Sequence, residues 1–339
     1  MRKFLALTFT LLLVFCNTLL SQNLADSGYY YLNKGDKVMA AKYFEDYIKS
    51  NPADTKIRMQ LGYMYYDDKK FSKSLENFRY VGSHSNDQKD VEASKSAAYI
   101  IKEEMSFYAP RSMDMYFYNF YDTYQENYIA NFIGHYNFKI APQFYTGLYL
   151  NVYTDTRSSP TLIYNDRYAE IGGFLRYNFF KNLFIEFRLG YAREIDLEKN
   201  SINVEPLIVY FNRIGEARVY VSSATSSKTD LYVDMYYAGL YDNKFRNGFG
   251  EIALHEVARF HTGGYSYIEP YLVQNLSADT RKVNYNNYGE VGTGLRFHAN
   301  IPFFPVLFVQ PTYRSYFYGG LKNSFTIQGG FEFIYRTPL

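Results

Sequence analysis

The chain has no tryptophan, a single cysteine among 339 residues, and no apolar run beyond residue 20 long enough to be a transmembrane helix. Each shortage excludes something. One thiol cannot form an intramolecular disulfide or a multi-cysteine metal site. With 21 % charged residues and a mean hydropathy of −0.33, the chain is too polar for a helical-bundle membrane protein. A formal net charge of +2 gives no basic footprint for nucleic acid, which is therefore not an expected partner. What is abundant is tyrosine and phenylalanine, 39 and 29 residues, so that one residue in five is aromatic. An average globular domain fills its core with aliphatics instead. A Tyr-rich, Gly-containing, half-apolar chain fits a transmembrane β-barrel, in which only one face of each strand meets lipid.

Arg2 and Lys3 precede the apolar run 4–20, and small or polar Ser21 and Gln22 follow it. A basic start, a short apolar stretch and a small residue at its end predict a secretory signal peptide over 1–21. Cys16 lies inside it, preceded by Phe15 where a lipoprotein signal needs a small residue. Cleavage near Ser21 leaves a mature chain without cysteine.

Residues 22–106 are rich in Lys, Asp, Glu and Ala and carry the 3.6-residue periodicity of helices. They repeat with a period of 34: Gly28 recurs as Gly62 and small Ser96, Tyr31 as Tyr65 and Tyr99, Ala40 as Ser74, and Phe44 as Phe78, with Pro52 closing the first unit. These residues resemble the tetratricopeptide (TPR) repeat over two full units and a third first helix at about 90–105. The second unit departs from it at Arg58, where an early aromatic is common. The resemblance implies a partner-binding concave face with no chemistry of its own. Basic and acidic residues balance over 22–106, so that face has no strong overall sign.

From about residue 113 the period changes to two. In 183–194, Leu183, Ile185, Phe187, Leu189 and Tyr191 alternate with Glu186, Arg188, Gly190 and Glu194. A strand sends successive side chains to opposite faces, so one face is apolar and the other charged. The pattern recurs: Ile171 and Leu175 oppose Glu170 and Arg176; Leu231, Val233 and Met235 oppose Tyr232, Asp234 and Tyr236; Val291 and Leu295 oppose Glu290, Arg296 and His298; Phe325, Ile327 and Phe331 oppose Thr326, Gln328 and Glu332. Turn residues at 139–142, 180–182, 212–215, 242–248 and 319–323 separate the segments, and the longer polar stretches 155–166, 194–200 and 222–229 are expected to gather at one barrel end. About thirteen segments qualify; an even strand number gives twelve, with ten to fourteen as the range. The weakest segments are 113–121 and 216–222. The alternating terminal aromatics Phe331, Phe333 and Tyr335, followed by Pro338 and Leu339, resemble the last-strand signal of outer-membrane barrels. Tyr116, Tyr118, Tyr136, Tyr149, Tyr153, Tyr265, Tyr267 and Tyr318 are expected at the membrane interfaces, where a ring sits in lipid and its hydroxyl in water.

The polar faces give a candidate lumen lining: acids Glu170, Glu186, Glu205, Glu216, Asp234, Glu251, Glu269, Glu290 and Glu332, bases Arg176, Arg188, Arg218, Arg296 and Arg314, with His135, His255 and His298 beside them. Opposite charges on neighbouring strands can pair and stiffen a narrow lumen, or a leaning toward acid can select a solute. Catalytic patterns are absent: no Gly-x-Ser-x-Gly, His-Glu-x-x-His or phosphate loop occurs, and Gly292 with Gly294 falls within a strand. No enzyme activity, cofactor or metal is expected.

The fold class expected is therefore α+β multidomain: a signal peptide over 1–21, a short TPR-like helical repeat over 22–106 placed in the periplasm, and an antiparallel transmembrane β-barrel over 107–339 in a bacterial outer membrane. This layout resembles the export porins of exopolysaccharide systems of the cellulose and poly-N-acetylglucosamine type. Segments 167–177 and 285–297 look like the C-terminal part of phage-adsorption outer-membrane proteins. The resemblance implies a barrel that conducts a polysaccharide or polar solute, with outer-membrane lipid around it and a periplasmic protein on the TPR face. The alternatives are a non-conducting anchor, adhesion or phage-receptor-like barrel that organises periplasmic partners, and a barrel lipid hydrolase.

Overall fold

The computed structural model describes residues 24–156, 167–195, 198–222, 228–243, 246–282, 286–299, 305–318 and 322–339. The expected signal peptide lies outside them. Two compact units, Met1–Glu104 and Met105–Leu339, divide the chain.

In the first unit, α1 (24–33) is followed by α2 (Lys37–Ser50), α3 (Thr55–Asp67), α4 (Phe71–His84) and α5 (Gln88–Tyr108), the last of which runs on into the second unit. Asp36 and Asp54 start α2 and α3, each side chain accepting hydrogen bonds from first-turn amides that have no partner within the helix. The period of 34 is a period of geometry. After α1, Gly35 at φ 80° lets Asp36 N–H donate to the Tyr31 carbonyl at 3.0 Å. After α3, Lys69 at φ 58° lets Lys70 N–H donate to the Tyr65 carbonyl at 2.8 Å. This is the reversal that ends a helix on a left-handed residue. The second unit makes it with a lysine where the first has glycine.

The packing repeats as well. A Cβ on Gly28 would stand 2.4 Å from the Phe44 ring, and one on Gly62 would stand 2.9 Å from the Phe78 ring. Both rings are buried, and Ser74, in the place of Ala40, donates to the Gly62 carbonyl at 2.7 Å. Ala40, Phe44, Ile57, Leu61, Met64 and Tyr65 form one core with Tyr31 packed against it. The Tyr65 hydroxyl donates to Glu45, and burial together with that carboxylate pushes its pKa up. Arg58 lays its guanidinium 4.0 Å from the Tyr80 ring centre and donates to the carbonyl of exposed Pro52 at 2.7 Å. Tyr99 sits half-buried in α5.

The second unit is a closed antiparallel barrel of twelve strands: β1 (Arg111–Asp122), β2 (Asn127–Ala141), β3 (Phe144–Asp155), β4 (Tyr168–Phe180), β5 (Leu183–Glu194), β6 (Lys199–Gly215), β7 (Thr229–Asp242), β8 (Asn247–Gly263), β9 (Ser266–Asp279), β10 (Tyr288–His298), β11 (Val306–Tyr316) and β12 (Ser324–Pro338). Each strand pairs with its neighbours in sequence, and β1 closes on β12 from Ser112↔Pro338 to Asp122↔Gln328. The surplus thirteenth segment is 216–222. It is no strand: Val221 makes a single bridge to Gly264, and Ala217 packs on Tyr232, Val257, Tyr271 and Val273, so this connection folds into the barrel.

The expected segregation of short and long connections is corrected. The rim where the barrel begins and ends carries the two-residue turns 142–143 and 181–182 but also the long connection 216–228; the opposite rim carries the long connection 156–167 but also four-residue turns at 123–126, 195–198 and 243–246. Thus the connection within 194–200 is four residues long, and 222–229 falls in the connection that joins the terminal-rim ends of β6 and β7. The three four-residue turns share one device, a left-handed last residue: Glu126, Glu198 and Arg246, at φ 50°, 49° and 49°. Composition alone does not separate a polar loop from a polar turn of this kind.

Replacing Gly62 by alanine overpacks the Phe78 contact and should cost about 1–3 kcal/mol of helical-unit stability. Gly28→Ala, with the closer ring, should cost at least as much. The helical circular-dichroism signal of the full chain on heating reads both; unchanged midpoints would contradict this packing.

Candidate functional site: the barrel interior

Alternation along every strand divides the barrel into two faces, and burial shows which is which. In β5, Ile185, Phe187, Leu189 and Tyr191 are 42–53 % exposed, whereas Glu186 between them is fully buried. Ile171, Leu231, Val291 and Phe325 are likewise exposed, and Glu170, Glu269 and Glu290 buried. The surface is therefore apolar outside and charged inside, the inverse of a water-soluble protein. Outward Tyr121, Tyr128, Tyr191, Tyr241 and Tyr313 cluster toward the rim opposite the termini. The expected interface set is corrected here. Tyr116, Tyr118, Tyr149, Tyr153 and Tyr267 lie on inward positions of β1, β3 and β9, and only Tyr136 of the strand members points out. An aromatic count cannot assign a face; only the strand's phase does.

Three groups hold many of the buried interior carboxylates. In the first, Glu186 of β5 accepts from Arg176 Nε at 2.5 Å and Arg188 Nε at 2.6 Å, with His135 Nε2 at 3.6 Å. Arg188 continues to Glu205 at 3.1 Å. Beside it, Tyr149 donates to Glu170, which also accepts from Asn203 at 3.2 Å. In the second, Glu269 accepts from Arg259 Nε at 2.6 Å and from the Tyr232 hydroxyl, with His298 Nε2 at 3.4 Å. Arg259 lies 3.8 Å over the Tyr267 ring and donates to the Arg218 carbonyl at 2.6 Å. In the third, Arg314 donates to Glu290 at 2.6 Å, Gln310 bridges Glu290 to Tyr271, and Asp122 joins across the closing seam by accepting from Thr326 at 2.9 Å and Gln328 at 3.1 Å. Room for the inward rings comes from glycines on nearby strands: a Cβ on Gly172 of β4 would stand 2.8 Å from the Tyr149 ring, one on Gly190 of β5 2.2 Å from the Tyr149 hydroxyl, and one on Gly294 of β10 2.1 Å from the Tyr271 ring.

Of the residues expected on the lumen, Glu170, Arg176, Glu186, Arg188, Glu205, Asp234, Glu251, His255, Glu269, Glu290, Arg296, Arg314 and Glu332 all stand on inward positions. Asp234 takes both ends of Arg213, at 2.6 and 2.8 Å, and Arg296 lies 2.9 Å from His255 Nδ1. Glu216 and Arg218 are the exceptions, since both lie beyond the end of β6, and Glu216 stands exposed 3.9 Å from Arg218. Arg218 takes a course of its own. It leaves the strand wall with the in-folded 216–222 segment and reaches Asp230 at 2.6 Å. Interior Arg213, Asp230, Arg259 and His261 were not anticipated. The phase set by Glu251 and His255 on β8 would have found the last two, because 259 and 261 keep the same parity. His261 lies 2.9 Å from Asp230.

Packing is uneven around the wall. Inward Phe211, opposite inward Tyr236, is 50 % exposed, Tyr236 is 40 % and inward Ile334 is 62 % exposed. Glu251 is inward and exposed as well, and Glu332 is half-buried. Among the described residues neither of these two carboxylates makes an ion pair. An inward group that is solvent-accessible borders open space, so β6–β8 and β12 carry, beside their buried inward groups, a lane of accessible ones. Among the described residues no group of three or more His, Asp, Glu or Cys is placed to hold a metal ion.

A closed sheet with an apolar exterior and a charged interior defines the class: a transmembrane β-barrel preceded by a helical unit. No protein-family model matches the chain, and no curated protein matches it. Among solved structures the chain is similar to the β domain of the Bordetella autotransporter Brka (11 % identity, TM-score 0.33, covering 66 % of this chain and 98 % of that one). It is also similar to the KdgM porin (10 % identity, TM-score 0.30, 66 % and 98 %) and to LpxR from Salmonella typhimurium (7 % identity, TM-score 0.35, 66 % and 99 %). At identities and TM-scores this low, the likeness carries nothing about what this chain does.

Glu186→Gln leaves Arg176 and Arg188 without their shared buried partner and should destabilise the barrel by about 3–5 kcal/mol. Glu251→Gln, in the open lane, should change stability by less than about 1 kcal/mol. Urea unfolding of the refolded chain compares them, and equal midpoints would remove the distinction between filled wall and open lane.

Proposed function

We propose that this chain is an outer-membrane conduit for a polar solute or a polysaccharide, with its helical repeats serving as a TPR-like periplasmic face for a protein partner. The observation that carries the conduit reading is the accessible lane, in which the unpaired carboxylates Glu251 and Glu332 share the interior with Tyr236 and Phe211. Flat rings offer stacking surfaces to sugar faces, and carboxylates accept hydroxyl hydrogen bonds or attract cations. Arg176, Arg188, Arg213, Arg259 and Arg314 are engaged by carboxylates, and the one positive charge of Arg296, held by His255 and the Tyr271 ring, is outnumbered by the two carboxylates, so the balance facing the lane is negative. Support for the partner face is the recurrence of the Gly28–Phe44 and Gly62–Phe78 contacts at a spacing of 34. That is the way stacked repeats are held at constant rotation.

A second reading, a non-conducting anchor, is favoured by the ion-pair groups around Glu186 and Glu269 and by the segment 216–222 folded inward. A lipid hydrolase needs a histidine at the membrane-facing edge, and His135, His255 and His298 all project inward.

Planar-bilayer conductance of the full chain separates the readings. The conduit reading expects stable channels that prefer cations. One unit charge at about 4 Å in water is worth about 1 kcal/mol. Glu251→Gln with Glu332→Gln should therefore lower cation-over-anion permeability by roughly fivefold or more. Silence from folded protein would overturn the conduit and leave the anchor.

A further inference from the structure

The outward face carries one anomaly. Among the described residues Glu256 is the only charged side chain on that face more than two residues from a strand end. It lies nine residues from Asn247 and seven from Gly263 on β8, at mid-height, and it is exposed. Its neighbours are apolar: Leu254 and Ala258 along the strand, Val233 and Leu272 across it. A carboxylate facing hydrocarbon at mid-depth is unfavourable, and such groups mark function more often than accident.

Around Glu256 the wall is indented. A groove of about 540 Å³ is lined by Glu256, Ala258, Pro270, Thr293, Leu295 and Pro311. Two prolines shape it, because a proline has no N–H to give to the ladder. Pairing of β8 with β9 lapses between Val257↔Tyr271 and Phe260↔Ile268, around Pro270; pairing of β10 with β11 lapses between Gly292↔Thr312 and Leu295↔Val309, around Pro311. Small side chains at 258 and 293 leave the space unfilled.

The geometry points to a lateral docking site for a membrane-embedded segment of a partner protein that carries one lysine or arginine at mid-depth, paired with Glu256 while its apolar residues fill the groove. Lipid amines do not meet this need, since the apolar band of such a barrel is about 25 Å tall and headgroups stay roughly half that distance away. A second copy of this chain does not meet it either: among the described residues no outward basic side chain stands at mid-height to face Glu256, and two copies joined through this face would bring like charges together. Charge complementarity in a medium of low dielectric gives the pair both strength and specificity.

The test uses the full chain reconstituted in phosphatidylcholine vesicles. Because the sequence has no tryptophan, Phe297→Trp on neighbouring β10 supplies a sole donor. Energy transfer to a dansyl-labelled apolar spanning peptide with one central lysine is compared with transfer to the same peptide bearing leucine there. The lysine peptide should bind roughly tenfold tighter. Glu256→Gln should abolish that preference, and Ala258→Leu, which fills the groove, should weaken both peptides. Without any peptide, Glu256→Gln should raise the urea midpoint, because a lipid-facing charge is removed. Equal binding of the two peptides to the parent barrel, a lysine preference that survives Glu256→Gln, a dimer of this chain joined through the groove, or an unchanged urea midpoint would each overturn the proposal.

Discussion

A chain that crosses hydrocarbon must leave no backbone N–H or C=O without a partner, and for a sheet the only solution is to have no edge. The pairing of Arg111–Asp122 with Ser324–Pro338 is where this chain meets that demand. Everything else in the second unit follows from it. Once the sheet is closed, each strand has a face that meets lipid and a face that cannot, and the period of two along the strand becomes a partition between solvents. The seam is held from inside too, through Asp122 on β1 and Thr326 with Gln328 on β12.

Closure also creates the electrostatic problem of the interior. Side chains turned inward from twelve strands converge, and a converging set of charges must be paired or hydrated. Glu186 and Glu269 show pairing: each is almost completely buried and meets at least one arginine and a histidine. Glu251 shows hydration, standing exposed on an inward position. Buried, paired charges and accessible, unpaired ones thus share one inward face. Glu256 is the reciprocal case, a charge outside where hydrocarbon is expected, and the two prolines beside it relax the wall at that place.

Much of this was legible beforehand. The alternating faces of 183–194 and the 34-residue repeat follow from spacing, because a helix and a strand impose periods that no neighbour can alter. Spacing counted about thirteen strands, and the even number of a single-chain barrel brought that to twelve. Three features were not legible. Segment 216–222 alternates like a strand yet folds inward, since whether a segment pairs depends on what lies beside it. Lys69 takes the left-handed turn that Gly35 takes one repeat earlier, which residue preference does not reveal. Tyr149 and Tyr267 serve the interior rather than the interface, because tyrosine suits both a wet rim and a polar lumen and only phase distinguishes them.

By itself the sequence determined which residues share a face. Side-chain direction is set locally, residue by residue, and Glu170, Arg176, Glu186 and Arg188 were assigned together on that ground alone. Which charges meet was decided only in the tertiary structure. Arg188 finds Glu205 and Arg259 finds Glu269 through the offset between paired strands, and Asp122 finds Thr326 through closure across 204 residues. Register and closure are properties of the whole sheet; no single strand carries them.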